Sequence, residues 1–192
     1  GVALAPALCQ EDGMDLTEVT LTTRRLFDGI VFNVDRHEVR LGDGSESRRD
    51  IVRHAGGVGV LAQQPDGQFL LVRQYRKAVE REVIEIVAGL RETDEPPEET
   101  ARRELAEETG TVAGELIYLG TCLASPGYTD EQDHLFYTRT TGETKAGKLD
   151  ADERLKVELW HPEALGLAVR DNTIQDSKTV TAWCLAREKG RV

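Results

Sequence analysis

The stretch from Gly89 to Gly110 constrains this chain more than any other. It holds Gly89, five residues, Glu95, seven residues, then Arg103-Glu104-Leu105-Ala106-Glu107-Glu108-Thr109-Gly110. Pro97 suits the first turn of a helix and Gly110 suits its end, so the spacing predicts a helix over 97–109. Residues three and four apart on a helix are neighbours, so Glu104, Glu107 and Glu108 can turn toward one locus while Ala101 and Leu105 anchor the adjacent stripe. Arg103 is spaced to pair with Glu99 and Glu107. A carboxylate cluster this dense is costly unless a positive charge fills it, and a hard divalent cation taking oxygen ligands is the natural filler. A bound metal lowers the pKa of water and neutralises phosphate charge, which is the chemistry of phosphoanhydride hydrolysis.

Composition narrows the class. The 192 residues carry a net charge of -11, which argues against a nucleic-acid or membrane-surface binder. The acid is concentrated: eight acids face three bases between Arg91 and Glu108. A basic segment, with Arg36, Arg40, Arg48, Arg49 and Arg53, lies upstream. An acidic site beside a basic segment suits a metal and an anionic substrate. Cys9, Cys122 and Cys184 show neither disulfide nor zinc spacing, which fits a reducing, cytoplasmic setting. No apolar run approaches the ~20 residues of a membrane span. Residues 1–14 lack the basic lead of a signal peptide and are expected to form a disordered or non-native tail.

The pattern along the chain predicts strands over 17–26 and 30–41 joined at Asp28-Gly29. A short strand at 50–54 follows, then a hairpin of 57–62 with 69–74 around Pro65-Asp66-Gly67. A strand at 83–87 runs into Gly89. Strands at 116–124, 134–140 and 155–160 and helices at 162–169 and 174–188 complete the order. The expectation is an α/β architecture, a mixed-sheet sandwich of the α+β kind. An N-terminal antiparallel β portion over 15–55 precedes a main domain over 56–192. Trp160 and Trp183 are expected in the core, and His134 and His161 have no metal-ligand spacing.

The 89–110 pattern resembles the Nudix box, Gly-x5-Glu-x7-Arg-Glu-apolar-x-Glu-Glu-x-Gly-apolar. Every fixed position is matched except the last, where Thr111 replaces an aliphatic residue. From about Leu26 onward the chain is similar to the ADP-ribose pyrophosphatase branch of that family. The pieces that carry this are Leu71-Val72-Arg73-Gln74-Tyr75-Arg76, Glu85-Ile86-Val87-Ala88-Gly89 with Val87 in place of proline, Ser125 to Glu131, Asp152-Glu153, and Ile174 to Thr179.

The resemblance implies a Nudix fold and hydrolysis of ADP-ribose to AMP and ribose 5-phosphate with Mg2+ or Mn2+, two or more ions in all. It places metal on Glu104 and Glu108, with Glu107 near and the Ala88 carbonyl as a backbone ligand. It implies Glu153 as the base or water-positioning group, with an adjacent acid as the alternative. Arg49 and Arg76 would hold the diphosphate, since guanidinium forks match phosphate oxygens. Tyr128 stands either to stack on a base or to cap its loop. Glu85 stands either to join the site, to hold Arg103, or to form a structural pair. The branch also implies a homodimer formed through N-terminal strands, with both subunits shaping the site. Phe27 and Phe32 are expected to pack in a core, with an approach to adenine across a dimer interface as the alternative. Two other readings stay open: hydrolysis of another sugar nucleotide, such as GDP-mannose or ADP-glucose, or of a dinucleotide, and an ADP-ribose sensor with no turnover. The intact glutamate cluster weighs against the sensor.

Overall fold

The computed structural model describes residues 15–92, 94–144 and 154–192. The 1–14 segment and Glu153, to which roles were assigned above, lie outside the described residues. Two compact units meet at the bond between Arg53 and His54.

The first unit is a three-stranded sheet of β1 (Glu18–Asp28), β2 (Phe32–Leu41) and β3 (Glu46–His54), in that order. β1 and β2 pair antiparallel, and the turn between them closes where the Gly29 amide donates to the Phe32 carbonyl at 3.1 Å. A side chain at 29 would strike that same carbonyl. Strand residues alternate between faces, and β2 shows it: Asp35, His37 and Val39 are buried, while their neighbours are more open. Asp35 is buried because Arg25 and Arg53 both donate to it. β3 begins four residues before the expected 50–54, since Leu41 and Ser45 close a tight turn at 2.8 Å and pairing starts at once.

The second unit is a seven-stranded mixed sheet. β4 (Gly57–Gln63) and β5 (Phe69–Arg76) flank the Pro65-Asp66-Gly67 turn, and the order across the sheet is β10-β5-β4-β9-β8. β8 is Thr111–Leu123, β9 is Gln132–Thr144 and β10 is Leu155–Trp160. β4 runs parallel to β9 and meets β5 at only two residue pairs, Ala62 with Leu70 and Gln63 with Phe69. The expected hairpin therefore splays beyond its turn.

The expected strand over 83–87 is in fact two. β6 (Arg81–Glu85) pairs with β5, and β7 (Val87–Leu90) pairs with β4. The chain changes partner at Ile86. The backbone amide left over there donates to Thr179 Oγ1 at 2.8 Å, so the break carries no orphaned buried donor.

β4 shows why this sheet is central. Val58, Val60 and Ala62 face one apolar layer with Val87, Ala101, Leu105 and Phe136. Leu61 faces the other layer with Phe69, Ile86, Leu135, Leu165 and Trp183. A strand buried on both sides reads as a continuous apolar run, as 57–62 does. Helix α1 (Pro97–Thr109) covers the first face through Ala101 and Leu105; α2 (Pro162–Arg170) and α3 (Ser177–Glu188) cover the second. Trp183 is core and meets Phe69 edge-on at 5.6 Å. Phe27 and Phe32 are not core: both are exposed in the first unit, because β1 is open along its length. Among the described residues no helix is long and apolar enough to cross a membrane.

Leu105 is fully buried and is the main apolar tie between α1 and the sheet. Leu105→Ala should cost about 2–5 kcal/mol of unfolding free energy in urea titration. A loss under about 1 kcal/mol would mean that α1 is not anchored through this side chain.

Candidate active site

α1 ends as its sequence dictates. Gly110 takes a left-handed conformation (φ 67°), and its amide donates to the Ala106 carbonyl at 2.9 Å. At the other end Pro97 occupies the first turn with Glu98 and Glu99, acids that suit the positive end of a helix. Thr100 donates to the Glu95 carboxylate at 2.8 Å, so the loop before the helix is tied to its first turn.

The helix presents Glu104 and Glu108 inward, one turn apart and only 8% and 7% exposed. Glu104 lies against β7. A Cβ built on Gly89 would sit 1.9 Å from the Glu104 carboxyl carbon, so the carboxylate occupies the space that any other residue at 89 would fill. This is the physical reason for glycine at the head of the spaced pattern. Ala88, the proposed backbone ligand, is in the same short strand and pairs with Gly59.

Arg103 organises the acids. Its Nη1 donates to Glu104 Oε1 at 2.7 Å and to Glu107 Oε2 at 3.1 Å. Its Nε and Nη2 grip the two oxygens of Glu95 at 3.1 and 3.0 Å, and Nη2 also reaches the Leu90 carbonyl at 3.2 Å. The expected pairing with Glu107 is present. Glu99 is not a partner, because the guanidinium folds back toward the preceding loop. The Glu95 hydrogen bonds, with the neighbouring carboxylates, raise the Arg103 pKa. In return the Arg103 guanidinium, helped by Thr100, holds the Glu95 carboxyl at about 2.

The three glutamates do not all converge. Glu107 is 41% exposed and is drawn outward by Arg103, leaving Glu104 and Glu108 on the buried side. Among the described residues no group of three or more His, Cys, Asp or Glu side chains is gathered as a metal cage. The donor set still fits a hard divalent ion of the magnesium type. Such an ion keeps several waters and takes only one or two carboxylates from the protein, with backbone carbonyls as supplementary oxygens. Two inward glutamates beside the Ala88–Gly89 backbone meet that need.

The remaining candidates are distributed as follows. Glu85, 3% exposed, does not hold Arg103; it is gripped by Arg76, with Nε to Oε1 at 2.8 Å and Nη2 to Oε2 at 2.6 Å. Arg76 is the more exposed partner, its side chain 43% exposed, and its charged form is favoured first by Glu85 and then by Asp176 and Glu108. Tyr128 is exposed on the turn Ser125–Thr129, its amide donating to the Ser125 carbonyl at 3.1 Å. Arg49 belongs to the first unit, where it pairs with Glu18 and donates to Ser47 at 2.9 Å. Sequence reasoning assigned no role to Glu95, although the motif contains it. It also passed over Asp133, Asp176 and Lys178, which form a largely buried charged group with Glu85; only the quoted segment 174–179 pointed there.

The depressed Glu95 pKa makes a pH prediction. Its ionised form contributes stability above its unfolded value near 4.5, and that contribution is lost as pH falls toward about 2. The melting-temperature gap between wild type and Glu95→Gln should therefore narrow over that window. A gap independent of pH would show that the Arg103–Glu95 charge pairing contributes nothing.

A model of the NUDIX domain matches residues 53–184. The chain is 40% identical over 167 residues to a protein of Bacillus methanolicus named methanol dehydrogenase activator, covering 86% of this chain and 90% of that one. It is 39% identical over 169 residues to a protein of Bacillus subtilis (strain 168) named ADP-ribose pyrophosphatase, covering 87% and 91%. A crystal structure of an ADP compounds hydrolase superposes with a TM-score of 0.80 at 21% identity, over 95% of this chain and 100% of that one, which shows a shared fold. With the family motif spread over β7 and α1 and the family model spanning most of the second unit, the chain belongs to the Nudix hydrolase family.

Proposed function

We propose that this chain hydrolyses the diphosphate bond of ADP-ribose, releasing AMP and ribose 5-phosphate. The observation that carries the reading is Glu104 seated in the space above Gly89, with Glu108 buried one turn away and Arg103 fixing the surrounding acids. The relative named ADP-ribose pyrophosphatase, similar over nearly its whole length, supports the choice of substrate.

Nudix hydrolases generally need divalent metal ions. In this chain Glu104 and Glu108 would hold Mg2+ or Mn2+, with Glu107 at the edge and the Ala88 carbonyl as a backbone donor. The metal, when bound, offsets diphosphate charge and lowers the pKa of a bound water. Arg103 orients Glu104 and Glu107, so its work is positioning rather than contact with substrate. Arg76, exposed on one side while it holds Glu85, would offer its guanidinium to a phosphate oxygen, with Arg49 as a second grip. Tyr128, exposed on its turn, is free to stack on a base. Glu153 keeps the proposed role of base or water-positioning group.

The reading includes a homodimer in the cytoplasm. Val19, Leu21, Phe27 and Phe32 in the first unit are exposed, a large apolar surface for a free strand pair, and Cys122 and Cys184 carry free thiols. Sedimentation should give twice the chain mass, and Phe27→Asp with Val19→Asp should shift it toward monomer; a wild-type monomer at all accessible concentrations overturns this part.

Product analysis tests the chemistry. Purified protein is incubated with ADP-ribose, GDP-mannose, ADP-glucose and NADH, with and without magnesium. AMP and ribose 5-phosphate, formed fastest from ADP-ribose and only with metal, are expected. Loss of a residue that merely orients a metal ligand costs 10–100-fold, so Glu108→Gln should lower turnover by at least about 100-fold with the fold intact. Near-normal turnover in that variant sinks the metal assignment. Binding of ADP-ribose without AMP release would favour a sensor instead.

A further inference from the structure

A buried charged group lies where α3, β6 and β9 come together. Thr179 Oγ1 accepts from the Ile86 amide at 2.8 Å, which sets the first turn of α3 against the end of β6. Lys178 and Glu85 are the immediate chain neighbours of those two residues. The Lys178 ammonium bonds Asp176 Oδ1 at 3.2 Å, and its side chain is 20% exposed. Asp176 is largely committed elsewhere, because its Oδ2 caps α3 by accepting from the Thr179 amide at 2.8 Å and from the Thr179 hydroxyl at 2.7 Å. Asp133, at the start of β9, is 3% exposed, and burial pushes its pKa up. Burial works against the charge of Lys178 too. The carboxylates of Asp176, Glu85 and Asp133 outweigh that penalty and hold the ammonium above its ordinary pKa.

Glu85 therefore has two cations. Arg76 binds it through Nε and Nη2; Lys178, brought near by the Thr179–Ile86 hydrogen bond, interacts with it through charge alone. One of the two would suffice for neutrality, and they differ in freedom. Arg76 has an open side chain at the end of β5, whereas Lys178 is enclosed among acids. While Nε and Nη2 of Arg76 grip the buried carboxylate, that edge of the guanidinium is closed to a diphosphate. If it leaves, the carboxylate stays buried with no partner, a state that single-partner removal shows to be strongly unfavourable.

We infer that Lys178 is the reserve counter-ion of Glu85, and that it allows Arg76 to leave Glu85 and engage the diphosphate of a nucleoside diphosphate substrate. The inference rests on the reading of Arg76 as a diphosphate grip. Lys178 is a positioning residue here: it acts through Glu85 and Arg76 and touches no substrate. Its flexible stem and compact charge suit it to follow Glu85 as Arg76 departs.

The test is a double-mutant cycle in the full chain. Lys178→Gln locks Arg76 onto Glu85, so KM for ADP-ribose should rise on the order of tenfold while kcat stays within about twofold. Lys178→Arg keeps the charge and should restore most of the KM. In a Glu85→Gln background the carboxylate that holds Arg76 is neutral, so Arg76 is free whether or not Lys178 is charged, and adding Lys178→Gln should leave KM unchanged within about twofold. Melting temperatures of all variants accompany the kinetics. Should Lys178→Gln fail to fold, the same comparison is made in an Asp176→Asn background, where loss of the ammonium leaves no unpaired ion-pair partner behind.

Calorimetric binding of magnesium pyrophosphate keeps this separate from the choice of substrate. Even with no cleavage of ADP-ribose, weaker binding in Lys178→Gln that vanishes as an effect in Glu85→Gln supports the inference. Equal KM and equal pyrophosphate binding in wild type and Lys178→Gln overturn it. So does a Lys178→Gln effect of the same size in both backgrounds, which would mean that Lys178 does not act through Glu85.

Discussion

The Arg103 guanidinium is the charge on which the proposed catalytic face depends. It sits among Glu95, Glu104 and Glu107 and also reaches the Leu90 carbonyl, so one side chain ties the pre-helix loop, the helix and β7 together. Without it, several carboxylates would repel one another across a few ångströms in a partly desolvated place, where such repulsion is much stronger than in water. With it, the loop is held by a bidentate grip, the strongest hydrogen-bond geometry available to arginine. The acids nevertheless remain in excess. Arginine's planar fork satisfies particular oxygens and leaves the field of the others intact, so the site stays attractive to a small cation.

Much of the fold is legible in the sequence because its signals are local. The ends of α1 match expectation because proline and glycine act on their own backbone, whatever lies around them. β10 matches at both ends. The errors share a cause that is not local. Val83 to Val87 reads as one apolar strand, yet the chain changes sheet partner at Ile86 because two different neighbours compete for it and Thr179, more than ninety positions away, satisfies the freed amide. The hairpin at Pro65-Asp66-Gly67 forms, but β4 then leaves β5 to run beside β9, a contact no turn signal encodes. Phe27 and Phe32 look like core by residue type and are exposed, since hydrophobicity alone does not say which surface will cover a strand.

The candidate site divides along the same line. Glu104, Glu107, Glu108 and Arg103 are readable from helix spacing and the family pattern, and their placement on α1 follows directly. The direction in which each acid points is not readable. Glu107 lies toward solvent on Arg103 while Glu108 is buried one residue on, and Arg103 prefers Glu95 to Glu99 because a loop, not the helix, brings the acid to it. Glu85 is claimed by Arg76 across two paired strands, in the register that sets Val72 against Glu85 and Arg76 against Arg81. Sheet register is a long-range property, so only the structure distinguishes that partner from Arg103.

Gly89 has a consequence for how such a chain can change over time. Every other amino acid brings a Cβ into the volume held by the Glu104 carboxylate, so substitution there displaces the acid itself. Shortening Glu104 would make room at 89 only by withdrawing the oxygen atoms from their place. The two positions, fifteen apart in the chain, are thus a single heritable unit. Neither has a neutral neighbour in sequence space while the other stays as it is. A lineage that abandons one has removed the reason to keep its partner, and in a set of diverged descendants the two should be retained together or lost together.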